Sequence, residues 1–117
     1  MSPAGAAAHA LPITTALQLP GNRVVDHRGT CFGLVVRSMG LAKGLTAALQ
    51  TMRQGEVSQY TELLEDSRRH AIDRMVDNAR LLGANAIIGM RFDSSEIGNS
   101  LTEIVAYGSA VVVEPDV

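Results

Sequence analysis

The chain has 117 residues and a net charge of −2. That is enough for one domain with one core, and it leaves no electrostatic footprint for nucleic acid or an anionic membrane. Hydrophobic residues make up 46% of the chain but aromatic ones only 3%, so the core must be built from Val, Ile, Leu, Ala and Met. Such side chains bury little area each, and part of the apolar surface is therefore expected to be covered by other subunits. The single cysteine, Cys31, excludes an internal disulfide and fits a reducing, cytoplasmic compartment.

Residues 1–11 read as an Ala-rich tail. It has no Lys or Arg and so lacks the basic region of a signal peptide. No stretch of the chain approaches the roughly 20 apolar residues of a membrane span. The remainder, 12–115, reads as a single domain. Residues 13–19 make a short strand candidate closed by Pro20-Gly21. Next comes a Val-rich extended run, 23–37, broken by Gly29 and Gly33. Two glycines in one strand predict a bulge, a sharp bend or another backbone passing close by. Residues 40–52 read as a modest helix with Leu41, Leu45, Ala48, Leu49 and Met52 on one side, ended by Gln54-Gly55.

The main helix is predicted from Ser58, a favourable N-cap, to Leu82. Tyr60, Leu64, Ser67, Ala71, Met75, Ala79 and Leu82 recur at spacings of three and four, and Leu63, Ile72 and Val76 widen that stripe. Glu65–Arg69, Arg69–Asp73 and Asp77–Arg80 stand at ion-pairing spacings on the other side, and Gly83 supplies a left-handed C-cap. Two strands follow, 86–93 and 101–113, joined by a loop containing Gly98-Asn99. Alternation places Ala86, Ile88, Met90 and Phe92 on one face, with Thr102, Ile104, Ala106, Gly108, Ala110 and Val112. That face is apolar and mostly small, suited to a closely packed helix. Pairing odd with odd would gather Arg91, Asp93, Glu103 and Tyr107 on the face away from it.

From Leu82 to Asp93 the sequence runs Leu-Gly-Ala-Asn-Ala-Ile-Ile-Gly-Met-Arg-Phe-Asp, and 106–111 reads Ala-Tyr-Gly-Ser-Ala-Val. With Thr14-Thr15, and with Val24-Val25-Asp26 leading to Gly29 and Gly33, these signatures resemble the YbjQ-like family of bacterial proteins, from about Ile13 onward. The resemblance implies a small α+β subunit assembled into a ring, typically a homopentamer, with strands continuing between neighbours. The family carries a heavy-metal-binding label and no established function. This chain departs from the family pattern twice. Gln54-Gly55-Glu56-Val57 replaces a Gly-Gly-Arg-Ser turn, and Arg28 stands where some members have a cysteine.

A metal site needs three or four converging Cys, His or carboxylate ligands. The candidates are His27 and Cys31, roughly 13 Å apart on one face of an unbroken strand, and the pair Asp66 and His70, one helical turn apart. His9 lies in the tail. A lone Cys31 also reads as a small buried hydrophobe, in an apolar strand segment with Phe32, Leu34 and Val35 that is expected to face the core. No nucleophile elbow, no dinucleotide or phosphate-loop pattern and no basic-aromatic interleaving occurs. The expectation is a non-enzymatic homo-oligomer of α+β class, one long helix on an antiparallel sheet. It needs no cofactor, nucleic acid or membrane, and a small ligand or partner binds at subunit interfaces near Arg91, Asp93, Glu103 and Tyr107. The alternative is a heavy-metal-binding protein using His27, Cys31, Asp66 and His70.

Overall fold

A computed structural model describes residues 11–38, 58–98 and 101–116. The helix expected at 40–52 and the 1–10 part of the tail lie outside them. The elements are β1 (Asn22–Ser38), α1 (Ser58–Leu81), β2 (Ala86–Ile97) and β3 (Leu101–Pro115). The strands form one antiparallel sheet in the order β1-β3-β2, so the central strand is the last in sequence. α1 packs on one face, here called the front, and this is the α+β architecture the helical and alternating patterns predict. No helix among the described residues is long and apolar enough to cross a membrane.

α1 buries the stripe its periodicity marks out. Ser67, Ala71, Met75 and Ala79 are fully buried and Val76 nearly so, with Leu64 and Ile72 packed beside them. Their partners on the sheet are Cys31, Val35, Ile87, Met90, Ile104, Ala106 and Ala110. The helix comes closest at Gly33. A Cβ there would run into the Ala71 carbonyl oxygen and Met75 nitrogen and lie 2.8 Å from the Arg74 Cβ. The backbone passing close by, one of three readings open for the broken strand, is therefore α1 itself.

The helix ends as Gly83 predicts. With φ at +84°, Gly83 donates to the Arg80 carbonyl at 2.9 Å and Ala84 donates to the Ala79 carbonyl at 3.1 Å, the paired bonds of a Schellman termination. Arg28 adds an Nε–H donated to the Leu82 carbonyl at 2.7 Å. Asn85 then starts the hairpin. Its side-chain amide donates to the Val113 carbonyl and accepts from the Val113 N–H, at 3.0 and 2.8 Å.

Three bulges correct the simple alternation. In β2 the register to β3 shifts between Ile88 and Arg91, where Gly89 has φ +62°. Before this point Ile87 faces the helix, while Ala86 and Ile88 join Val111 and Val113 in a second apolar cluster behind the sheet. After it, Met90 and Phe92 face the helix. The expectation that all four even positions share the helix face thus holds only beyond the bulge. In β1 the register shifts at Val25 and again at Arg28. Each shift adds one residue to β1 and reverses the facing, so the second restores what the first reversed, and Cys31, Gly33 and Val35 face α1 while Phe32, Leu34 and Val36 face away.

The strand expected at 13–19 is shorter than its pattern suggests. Ile13 makes a single parallel bridge to Ile87, and 12–16 runs along the outer edge of β2 through bonds between Pro12 and Ile87, Thr14 and Ile87, Thr14 and Met90, and Ala16 and Gly89. Pro20 and Gly21 then turn the chain into β1.

Candidate functional site

The back of the sheet, opposite α1, carries the polar residues singled out above together with a stripe of large apolar ones. The register lays them out in rows. Phe32, Tyr107 and Arg91 form one row, Leu34, Val105 and Asp93 the next, and Val36, Glu103 and Ser95 the third. Odd does pair with odd, so Arg91, Asp93, Glu103 and Tyr107 share this face. Arg91 and Tyr107 are direct cross-strand partners, whereas Glu103 sits two rows from Arg91. The Arg91 guanidinium donates to the backbone carbonyls of Thr15 and Met90, at 2.9 and 2.8 Å, and so fastens 12–16 to β2. Asp93 accepts from the Ser94 N–H at 2.9 Å.

Phe32 is 55% exposed, Val36 47% and Leu34 and Tyr107 38% each. Side chains of this size, aligned in adjacent rows, make a contiguous apolar surface rather than scattered exceptions. The sequence reading treated Phe32 and Leu34 as part of the helix-facing segment with Cys31. The signal missed was that 31–36 is apolar at odd and even positions alike, the pattern of a strand with both faces covered.

α1 covers part of the outer edge of β1. Asn78 Nδ2 donates to the Phe32 carbonyl at 2.6 Å and Arg74 Nη1 to the Leu34 carbonyl at 2.7 Å. Edge acceptors that could recruit another strand are thereby occupied.

The metal candidates do not come together. Cys31 is 1% exposed on the helix side, its thiol 3.6 Å from the Gly108 carbonyl. Removal of the thiol from water pushes its pKa up, partly offset by hydrogen bonding with its own backbone and with that of Gly108. His27 pairs with Val111 on the back, because the bulge at Arg28 lies between it and Cys31 and reverses the facing. The expected shared face for His27 and Cys31 is therefore corrected: the sheet stands between them. Asp66 and His70 do approach, at 4.0 Å between Oδ2 and Nε2, but a guanidinium sits with them. Arg37 bonds His70 Nδ1 at 3.0 Å, lies 3.5 Å from Asp66 Oδ2 and donates to Ser67 Oγ at 2.8 Å. A cation already fills the position an ion would take. Among the described residues, no three of His, Cys, Asp and Glu cluster as a metal site requires.

Comparison with known proteins gives a consistent picture. The model of the YbjQ-like family, described as "Putative heavy-metal-binding", matches residues 11–114. A UPF0145 protein of Bradyrhizobium sp. (strain ORS 278) is 52% identical over 103 residues, covering 88% of this chain and 93% of that protein. One from Burkholderia multivorans is 49% identical, covering 89% and 85%. One from Saccharolobus solfataricus is 48% identical, covering 87% and 90%, so relatives extend to archaea and the bacterial restriction expected above is lifted. A crystal structure of a protein of unknown function from Pediococcus pentosaceus superposes with a TM-score of 0.60 at 14% identity, covering 91% of this chain and all of that one. That likeness concerns the fold alone.

Proposed function

Since this chain belongs to the YbjQ-like family, we propose that it is a non-enzymatic, cytoplasmic homo-oligomer, a ring of five as the resemblance implies, whose seams hold a small ligand or partner. The observation that carries this reading is the exposed apolar back of the sheet. A two-layer α/β subunit covers only one sheet face by itself, and the other stays wet unless something packs on it. Here the wet face bears Phe32, Leu34, Val36 and Tyr107, flanked by Arg91, Asp93 and Glu103. Charges of both signs at the border of an apolar patch favour one docking register over others.

The non-enzymatic part rests on the nature of the groups available. The one thiol is buried with its pKa raised, the opposite of an activated nucleophile. The polar residues of the back face are spread over three rows rather than converging on a point.

Light scattering at micromolar concentration is expected to give the mass of a pentamer. Leu34→Glu, which puts a charge in the middle of the apolar rows, is expected to shift the protein to smaller species while its far-ultraviolet dichroism is kept. A monodisperse monomer from the unaltered chain would remove the reading.

A further inference from the structure

The apolar rows of the back face run out, at Val36, beside the last pair of β1, Ser38 with Leu101. From that end residues 39–57 connect β1 to α1. In the connection Leu41, Leu45, Ala48, Leu49 and Met52 recur at the spacings of one helix face. A helix over 41–52 would be about 18 Å long, and the strand from Phe32 to Val36 spans about 13 Å. A helix so short is marginal by itself and needs an apolar surface to lie on. The back of the sheet offers one of matching length in Phe32, Leu34, Val36 and Tyr107.

The charges of the two surfaces are opposite. Residues 41–53 contain Lys43 and Arg53 and no acidic residue. At about 100° per residue, Arg53 stands beside the apolar stripe and Lys43 opposite it. On the sheet, the first row has Arg91, already donating to the Thr15 and Met90 carbonyls. The second and third rows carry Asp93 and Glu103, the complement that a stripe flanked by Arg53 requires.

Reach decides whose sheet the stripe covers. Ser67 on α1 meets Arg37 on β1. Ser58, nearer the start of α1, lies about 13 Å beyond that contact along the helix, and Phe32 lies about 17 Å from it in the other direction along β1. Tied to Ser38 at its start, a stripe lying on its own rows would end near Phe32. The chain from Met52 to Ser58 then extends at most about 20 Å. The separation to close is about 30 Å along the axis alone, before the chain passes from the back of the sheet to the front.

We propose that the stripe from Leu41 to Met52 of one copy packs on the Phe32, Leu34, Val36 and Tyr107 surface of a second copy, with Arg53 set against that copy's Asp93 and Glu103. This rests on the back of the sheet being the assembly face, and it names the element that covers it. Each copy then supplies one stripe and one sheet face, a head-to-tail contact of the kind that closes into rings.

The test uses the full chain with Cys31→Ala, so that each introduced cysteine stands alone. Leu49→Cys, in the middle of the stripe, and Val105→Cys, in the middle of the rows, are placed on separate chains of different mass, co-expressed and treated with a short bismaleimide. A covalent pair between the unlike chains is expected. Leu45→Glu and Arg53→Glu are expected to weaken association at least about tenfold while the far-ultraviolet dichroism is kept. An oligomer whose unlike chains do not cross-link, or that keeps its full mass with both substitutions, overturns the proposal and leaves the assembly reading standing. So does a chain with both cysteines that, diluted in an excess of cysteine-free chain, cross-links within itself. A monodisperse monomer from the unaltered chain overturns both.

Discussion

Cys31 shows how burial decides the chemistry of one residue. A thiol with 1% exposure, against the Gly108 carbonyl, behaves as a small hydrophobe rather than a reactive group. Its raised folded-state pKa fixes the sign of a pH effect. The unfolded chain gives up the thiol proton at lower pH than the folded one, so the contribution of Cys31 is complete below the ordinary thiol range. It is then lost as pH rises through that range toward the folded value. Denaturant unfolding is therefore expected to show the unaltered protein losing stability, relative to Cys31→Ala, above about pH 8.5. The same substitution should cost on the order of 1 kcal/mol near neutrality, for the cavity left by one sulfur, and leave the state of assembly unchanged. An aromatic disulfide reagent should label Cys31 only as fast as the protein opens. Rapid native labelling, or parallel pH curves for the two proteins, would contradict this account.

At the scale of elements, helix and sheet are held together by close approach along β1 and by side chains that cross between them. Arg28 reaches the Leu82 carbonyl, Asn78 the carbonyl of Phe32, Arg74 that of Leu34, and Arg37 the Ser67 hydroxyl. These four contacts follow α1 from its end toward its beginning while β1 runs the other way. Two glycines make the packing possible, and for different reasons. Gly33 lies under the helix backbone. Gly108 lies under the Gly89 bulge instead, where an added Cβ would come within 2.8 Å of Ile87 Cγ2 and 3.2 Å of the Ile88 carbonyl oxygen. Ala106 and Ala110 do form part of the floor under α1, but Gly108 supports β2. Gly33→Ala and Gly108→Leu are each expected to cost about 1–3 kcal/mol through overpacking, the first at the upper end because backbone atoms cannot turn aside. Hydrogen exchange should separate them. Amides of α1 should lose protection in Gly33→Ala, and those of β2 around Ile87 to Met90 in Gly108→Leu. Unchanged melting temperatures in both variants would refute the packing described.

For the whole molecule, the arrangement sets the family's heavy-metal label against the ligands available. Cys31 and His27 are on opposite sides of the sheet, and the Asp66–His70 pair is shared with Arg37. Only a symmetric assembly, with each copy contributing one ligand, could build a dense soft-metal site from them, and burial of Cys31 under α1 removes its thiol from such a position. Elemental analysis of freshly purified protein is expected to find no stoichiometric zinc or copper. A tightly held ion per subunit, lost in Cys31→Ala or His27→Ala, would overturn this and support the label.

The sequence by itself determined the elements and their type. The 3.6-residue stripe from Leu64 to Ala79, the glycine at 83 and the alternation on either side of Gly98 are local signals, because a helix or hairpin satisfies its hydrogen bonds among near neighbours. It also carried the family resemblance and the sharing of one face by Arg91, Asp93, Glu103 and Tyr107, since odd residues beyond the last bulge keep a single parity. What only the tertiary structure decided was which way the residues near each bulge point. A one-residue slip reverses every side chain after it, and such slips are set by distant partners: Gly89 by the approach of 12–16 and Gly108, and Arg28 by the end of α1. For that reason Ile87 and Ile88 exchanged faces and His27 parted from Cys31.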